Sequence, residues 1–423
     1  MRPEDLEFLL TDAGRALLEL AAGLDFSKAT TVGSTAAVRR VDREHAAAAI
    51  DVATARARAT GRIRDSGSML LTDEAVQQAT AWPVAALRAR RLAGRDVHDV
   101  TCSIGAELAE LVGIADRVVG SDLDPVRARM AAHNVPGAVV CVADALAPPT
   151  RDAVVVADPA RRSGGRRIHD PAQLSPPLPA LLASLAGRDH VIKCAPGLDT
   201  SVLEHRGEVE VVSLDGSVRE ACLWSPGLSG GVGRRATVVR TVPAATDVET
   251  TTAPADARGG TWVGAWGGAW GVPRVTAEGL EVYVEEVTDS DDDDVDASPE
   301  PDRFIVDPDG AVVRAGLVRH WARRHGLRQL DTRIAHLTGP QIPAGYSGFE
   351  VLDRCRLDRK ELRRVLRERD CGSLEILVRG VDADPDVLRR SLSLKGSRPL
   401  ALVVTRIERS AVVFVCGPRT RAD

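Results

Sequence analysis

Between residues 97 and 194 the chain alternates short β-branched runs with helical stretches, and that alternation constrains the fold more than any other feature. Strands are read at VHDVT (97–101), RVVGS (117–121), AVVCV (138–142), AVVVA (153–157) and HVIKC (190–194). Amphipathic pieces such as ELAELVG and PVRARMAAHN lie between them. Parallel neighbours need crossovers of this kind, so the pattern predicts an α/β fold built on a Rossmann-like, doubly wound sheet. After residue 205, EVEVVSL, ACLWS and ATVVRT follow with no helical stretch between them, which predicts an antiparallel finish to the same sheet.

A chain of 423 residues exceeds one ordinary core, and two or three domains are expected. Residues 1–92 read as a helical region: DREHAAAAIDVATARARAT is made of helix formers, and LTDEAVQQAT opens on Thr72 with an acidic first turn. Residues 93–241 carry the sheet. Residues 242–300 read as linker and extension, with TWVGAWGGAWGVP as a strand pair around a glycine turn and TDSDDDDVDASPEP as a solvated loop. Residues 301–423 read as a smaller α/β unit. In it AVVRAGLVRHWARRHGL, DRKELRRVLRERD and DPDVLRRSLSL are helices, SLEILVRG is a strand and PLALVVTRIERSAVVFVC is a closing hairpin. Leu357, Leu362, Val365 and Leu366 fall on one face of the second helix.

The formal net charge of −5 hides an asymmetry, because residues 314–409 hold 21 Lys and Arg against 12 Asp and Glu, an excess of +9. A local basic excess of this size points to a polyanionic partner. The start, MRPEDLEFLL, lacks a basic stretch followed by an apolar run, so no signal peptide is read there. No run of 18 apolar residues occurs, and no membrane span is expected. The seven cysteines are scattered without a CxxC pair, which suits reduced core thiols in a cytoplasmic protein and gives no metal site.

In an open parallel sheet, ligands bind beyond the carboxyl ends of the strands. The first strand runs into DVTCSIGAEL, a turn through Ser103 and Gly105 that opens a helix. The second ends in GSDLDP, where Asp122, 17 residues after Gly105, can accept the hydroxyl protons of a ribose, and Asp124-Pro125 reads as the cap of the next helix. The third ends in VADAL, where Asp144 either meets an adenine amine or caps a helix. The fourth ends in Asp158-Pro159, and Arg161, Arg162, Arg166 and Arg167 follow within nine residues. These arginines either grip phosphates or pair with local acids such as Asp152 and Asp170. Lys193, in VIKCAPG, can contact substrate or an internal acid. One glycine in the first turn, where a dinucleotide needs several, suits a nucleoside cofactor without a pyrophosphate and disfavours a dinucleotide-dependent oxidoreductase.

On these motifs the sequence resembles the class I S-adenosylmethionine-dependent methyltransferases. It is most similar to the bacterial methyltransferases that carry a C-terminal THUMP-like domain. DVTCSIGAEL, GSDLDP, VADAL, VVADPARR, VIKCAPGLD, DPDGAVVRAGLV, LDTRIAHLTG and VRGVDADPDVLRRSL carry the resemblance across residues 97–390. It implies S-adenosyl-L-methionine as cofactor. Asp99, Ser103 and Gly105 fall on the turn that holds its methionine part, Asp122 on the ribose acid and Asp144 on the adenine-side acid. Asp158 and Pro159 fall on the catalytic motif facing the acceptor, with Arg161, Arg162, Arg166 and Lys193 on the substrate side. Thr101 and Ser103 replace two glycines of the usual first motif, and Ala160 and Arg161 replace the Pro-aromatic pair found in enzymes that methylate exocyclic base amines. The expectation is a methyltransferase acting on RNA. The rival is a nucleic-acid-binding or scaffold protein with a catalytically silent Rossmann-type domain.

Overall fold

A computed structural model describes residues 1–160, 170–198, 205–243 and 279–422, and the backbone of four short strands at 162–163, 166–167, 261–262 and 275–277. Six helices open the chain: α1 (Pro3–Leu9), α2 (Asp12–Ala22), α3 (Thr31–Val41), α4 (Ala46–Ala59), α5 (Asp73–Gln78) and α6 (Trp82–Arg91). Thr11 accepts from the Gly14 amide and Thr72 from the Ala75 amide, each satisfying a donor that a helix start leaves orphaned. Leu6, Leu17, Val52 and Leu71 are buried in one cluster with Val97, Leu108 and Met130, so the helical region and the sheet share a core.

The expected alternation follows: β1 (Asp96–Asp99), α7 (Ala106–Leu111), β2 (Arg117–Asp122), α8 (Pro125–Asn134), β3 (Val139–Val142) and β4 (Val154–Ala157). A two-residue hairpin, β5 (Arg162–Ser163) with β6 (Arg166–Arg167), precedes α9 (Leu178–Ser184) and β7 (His190–Cys194). Then come β8 (Glu208–Leu214), β9 (Ser217–Trp224), α10 (Pro226–Ser229), β10 (Arg234–Pro243), β11 (Thr261–Trp262), β12 (Val275–Ala277) and β13 (Leu280–Thr288). The eleven strands form one sheet in the order β11-β12-β13-β10-β8-β9-β7-β4-β1-β2-β3. Strand β1 is parallel to both β2 and β4, β2 to β3, and β4 to β7. The chain therefore winds outward from β1 to β3, then returns to the other side of β1, and the order reverses between β1 and β4.

The antiparallel finish is realised only in β9, which runs against both β7 and β8. Strand β10 returns parallel to β8, because the short helix α10 carries the chain across before it re-enters. Strand β13 pairs with β10 from Arg235 to Pro243, so this part of the 242–300 stretch belongs to the sheet. Of TWVGAWGGAWGVP, Thr261–Trp262 pairs antiparallel with β12, and residues 263–274 lie outside the described residues.

A second sheet is built from β14 (Phe304–Val306), α11 (Gly310–Arg314), α12 (Val318–Arg324), β15 (Arg328–Asp331), β16 (Ile334–Gly339) and β17 (Ser347–Arg356). It continues through α13 (Arg359–Glu368), β18 (Cys371–Arg379), α14 (Pro385–Leu392), β19 (Arg398–Ile407), β20 (Ser410–Cys416) and β21 (Thr420–Arg421). Its order is β15-β16-β14-β17-β20-β19-β18, with β21 on β17. The closing hairpin forms as read, β19 against β20. AVVRAGLVRHWARRHGL is broken into two helices, because Gly316 adopts a left-handed φ of 71° between α11 and α12.

The acidic run is a largely exposed loop whose aspartates reach the arginines of α12. Asp291 pairs with Arg324 at 2.9 Å, Asp292 with Arg323 at 2.9 Å and Asp293 with Arg319 at 3.3 Å, so it clamps α12. Beneath this clamp Trp321, Val312 and Leu317 are buried with Val211, Val238 and Val287 of the first sheet. Among the described residues no helix is long and apolar enough to cross a membrane. Trp321 fills the junction of the two sheets, so Trp321→Ala should cost about 3–5 kcal/mol, the range for deleting a buried aromatic ring. Urea unfolding followed by circular dichroism measures it, and a cost near zero would mean the junction is not tightly packed.

Candidate active site

Strand order reverses between β1 and β4, and Asp99, Asp122, Asp158 and Lys193 stand at the carboxyl ends of neighbouring strands there, where ligands bind in open parallel sheets. The turn after β1 is held by its own residues. Asp99, 4% exposed, accepts from the Thr101 amide at 3.0 Å. The Thr101 hydroxyl accepts from the Asp158 amide at 2.7 Å, which ties the end of β1 to the end of β4. Threonine at a customary glycine position thus acts as a cross-strand clasp. Ser103 takes a left-handed φ of 49°, the backbone state that glycine usually supplies at its position. Gly105 is left-handed at 83°, and a Cβ there would meet Val135 at 2.9 Å, so the turn and the packing of α8 both require glycine.

Asp122 closes the turn from the neighbouring strand. Its carboxylate accepts from the Ser103 amide at 3.0 Å and the Asp124 amide at 2.9 Å. Asp124 in turn caps α8, accepting from the Val126 and Arg127 amides. Leu123, next to Asp122, is 72% exposed, and Val142 at the end of β3 is also exposed. Two uncovered apolar side chains thus flank Asp122 at the strand ends. Asp144 is exposed and accepts from the Leu146 amide at 2.9 Å, so it caps a turn while its outer edge faces solvent. Asn134 of α8 binds the Ile104 carbonyl at 2.8 Å and the Leu70 backbone at 2.7 and 2.9 Å, fastening the helical region to this turn.

On the acceptor side, Asp158 is 29% exposed and Lys193 only 4%. Lys193 Nζ donates to Asp158 Oδ2 at 2.7 Å and to Glu107 Oε2 at 3.0 Å. Glu107 also pairs with Arg88 of α6, and Arg88 pairs with Glu220 of β9, which accepts from Thr80 at 3.1 Å. Burial alone would push the Glu107 carboxyl up, but Arg88 and Lys193 outweigh it and hold it at about 2. Burial likewise opposes the charge on Lys193, and Asp158 and Glu107 overcome it and raise its pKa. Asp99 differs: burial first, then Glu107, lift its carboxyl to about 7 against the Thr101 hydrogen bond. Pro159 is buried, and Ala160 after it exchanges backbone hydrogen bonds with Ser175. Arg161 lies outside the described residues, as do the side chains of Arg162, Arg166 and Arg167.

Glu107, Arg88, Glu220, Asn134 and Leu123 were not read from the sequence. Only Leu123 left a trace there, an apolar residue directly after the ribose-type acid. Among the described residues no group of three or more His, Cys, Asp or Glu side chains is placed to hold a metal ion.

A sheet that reverses at β1/β4 and carries one antiparallel strand between β7 and β8 is the architecture of a class I S-adenosylmethionine-dependent methyltransferase. Comparison with known proteins agrees. Two Mycobacterium tuberculosis proteins, from strains CDC 1551 and H37Rv, are named as uncharacterized S-adenosylmethionine-dependent methyltransferases. Each is 50% identical to this chain over 361 residues, covering 82% of it and 89% of the relative. The chain belongs to this family, and S-adenosylmethionine is its cofactor. A crystal structure of a proposed methyltransferase from Porphyromonas gingivalis W83 shares the fold, with a TM-score of 0.60 at 16% identity over 98% of this chain and 97% of that one. The family profile described as "THUMP domain-like" matches residues 346–418, and one described as a domain of unknown function matches residues 2–59.

The donor set fits the cofactor. Asp122 retains acceptor capacity for ribose hydroxyls beyond its two amide bonds, and Leu123 offers the base an apolar face. Asp122→Ala should weaken S-adenosylmethionine binding by about 1.5–3 kcal/mol, the scale of charge-assisted hydrogen bonds. Titration calorimetry reads this directly, and unchanged affinity in a folded variant would remove Asp122 from the site.

Proposed function

We propose that this methyltransferase acts on RNA, with the acceptor nucleotide at the carboxyl end of β4 and the phosphate backbone gripped by the C-terminal unit. The observation that carries this reading is a set of exposed cations within the THUMP-like stretch. Arg359, Lys360, Arg367, Arg390, Lys395 and Arg398 are all exposed, and no ion pair is found for them among the described residues. They lie on α13, at the end of α14 and at the start of β19. Other cations of the unit are engaged: Arg364 pairs with Glu368 at 2.9 Å, and Arg363 donates to the Ser391 carbonyl. The free set is what a polyanion would meet.

When bound, S-adenosylmethionine supplies an electrophilic methyl group. The chain's part is to place the acceptor and steer its lone pair. Lys193 occupies Asp158 Oδ2, while Oδ1 makes no hydrogen bond among the described residues and is available to the acceptor's N–H or O–H. Pro159 contributes a rigid backbone carbonyl beside it. Asp99, Ser103, Gly105, Asp122 and Asp144 hold the cofactor side. Arg161, Arg162 and Arg166, which follow in the chain with side chains outside the described residues, are the cations this reading assigns to phosphate contact. Orientation and exclusion of water supply most of the rate in such a transfer.

Methyl transfer from labelled cofactor to total RNA, taken from a strain lacking the gene, tests the reading, and nucleoside mass spectrometry identifies the product. Asp158→Ala should lose turnover while cofactor affinity stays within a few-fold. Full activity in that variant would refute the role of Asp158. Binding of the full chain to the same RNA should weaken with salt, and Lys360→Gln and Arg367→Gln should each lower the log–log slope by about 0.7. Salt-insensitive binding would remove phosphate contacts from the account.

A further inference from the structure

Residues 26–41 contain no Asp or Glu, in a chain where 60 acids are spread over 423 residues. Most of that stretch is α3, a helix that the rest of the protein barely covers. Of its 11 residues only Ser34 and Val38 are buried, whereas α2, of the same length, buries Gly14, Leu17, Leu18 and Ala21. At about 3.6 residues per turn, Val32, Ala36, Arg39 and Arg40 lie on the face opposite Ser34 and Val38. Lys28 stands before the helix and Arg43 just beyond it. All six are exposed, Val32 by 84%. Among the described residues no ion pair is found for Lys28, Arg39, Arg40 or Arg43, and Arg40 donates to the Ala36 carbonyl of its own helix at 3.3 Å. The other cations of residues 1–59 are engaged: Arg2 with Asp5, Arg15 with Asp12, Arg58 with Asp73, and Arg56 with the Met69 carbonyl. The acids flanking the stretch are occupied too, Asp25 by Ser27 and Thr30, and Asp42 by the His45 amide.

Cations without counter-ions around short side chains suit one kind of partner. A protein interface is centred on an apolar core depleted in charge, and a helix lying on a membrane needs a broad apolar stripe turned outward. The outward face of α3 has only Val32 and Ala36 for either purpose. A phosphate backbone, in contrast, needs cations that reach it and no carboxylates that repel it, and the short side chains let it approach the helix closely. We propose that α3, with Lys28 and Arg43 at its ends, is a second RNA-binding surface, so that helical region and THUMP-like unit grip the substrate together. The inference rests on the reading that the substrate is RNA, and it gives a role to residues 2–59, the stretch matched by a domain of unknown function. The helical region shares a core with the first sheet and is fastened to the cofactor turn through Leu70 and Asn134, so a grip by α3 ties RNA to the catalytic half itself. Two such surfaces on one chain raise affinity beyond either alone, because the second contact is intramolecular.

Arg39→Gln, Arg40→Gln and Arg43→Gln, combined in the full chain, test the surface, since the three side chains are exposed and their replacement leaves the core intact. Filter binding to total RNA over a series of salt concentrations is the measurement. The triple variant should bind about tenfold more weakly than wild type at low salt, and its log–log salt slope should fall by about 2, three contacts at about 0.7 each. Its affinity for S-adenosylmethionine should equal that of wild type, which reports an intact fold. Lys360→Gln with Arg367→Gln, measured alongside, separates this inference from the reading it rests on. If that pair weakens RNA binding and the triple variant does not, the α3 surface is overturned and the RNA reading stands. If wild type itself binds no RNA, both fall. Vesicles of anionic phospholipid supply the last arm. Association that wild type shows and the triple variant loses, with RNA binding unchanged, would overturn the proposal in favour of a membrane surface.

Discussion

One buried ammonium group holds the centre of this enzyme together. Lys193 at 4% exposure joins Asp158 on β4 to Glu107 on α7, and Glu107 passes the connection to Arg88 on α6 and onward to Glu220 on β9. Removing one member of such a chain leaves an uncompensated buried charge, which typically costs about 3–5 kcal/mol. The geometry of Asp158 is therefore set by groups buried beneath it. The start of α7 and the end of β4 are fixed to each other by the same pair of hydrogen bonds.

Much of the fold was legible because it rests on local periodicity. The five parallel strands, the caps at Thr72 and Asp124 and the hairpin of β19 with β20 all sit where alternation and turn chemistry put them. Site residues at strand ends were legible for the same reason: a strand that stops on Asp122 or Asp158 announces a carboxylate at the open edge of the sheet. Their partners were not. Arg88 meets Glu220 across 132 positions of sequence and Lys193 meets Glu107 across 86, and no window pattern carries such pairs. Glu107 sat in a stretch read only as amphipathic, and Arg88 in a region read only as helical. Composition was enough to read the acidic run as an exposed loop but not to find its partners, Arg319, Arg323 and Arg324 on α12. The departures from the usual first motif proved informative in another way, since Thr101 spends its hydroxyl on the Asp158 amide and Ser103 keeps a glycine-like backbone.

Arginines of α12 are neutralised by the chain's own aspartates at the junction, and those of α6 by glutamates of the first sheet, Arg91 with Glu208 at 2.7 Å among them. Exposed cations without an ion pair among the described residues occur both in the helical region, at Lys28, Arg39, Arg40 and Arg43, and in the THUMP-like stretch, at Arg359, Lys360, Arg367, Arg390, Lys395 and Arg398. The attraction such charges exert on a polyanion is local and screened beyond about 10 Å at moderate salt.

The helical region has a consequence for how the catalytic half can be dissected. A shortened chain beginning near residue 93 would look, from strand order alone, like a complete methyltransferase unit. It would lack Arg88 and Arg91, and Glu107, Glu208, Glu210 and Glu220 would each lose a counter-ion beneath the sheet. It would also lose Leu70, the backbone partner through which Asn134 steadies the cofactor turn. The unit that strand order suggests is thus smaller than the unit that charge pairing requires, because the helical region supplies the counter-ions on which the buried glutamates depend.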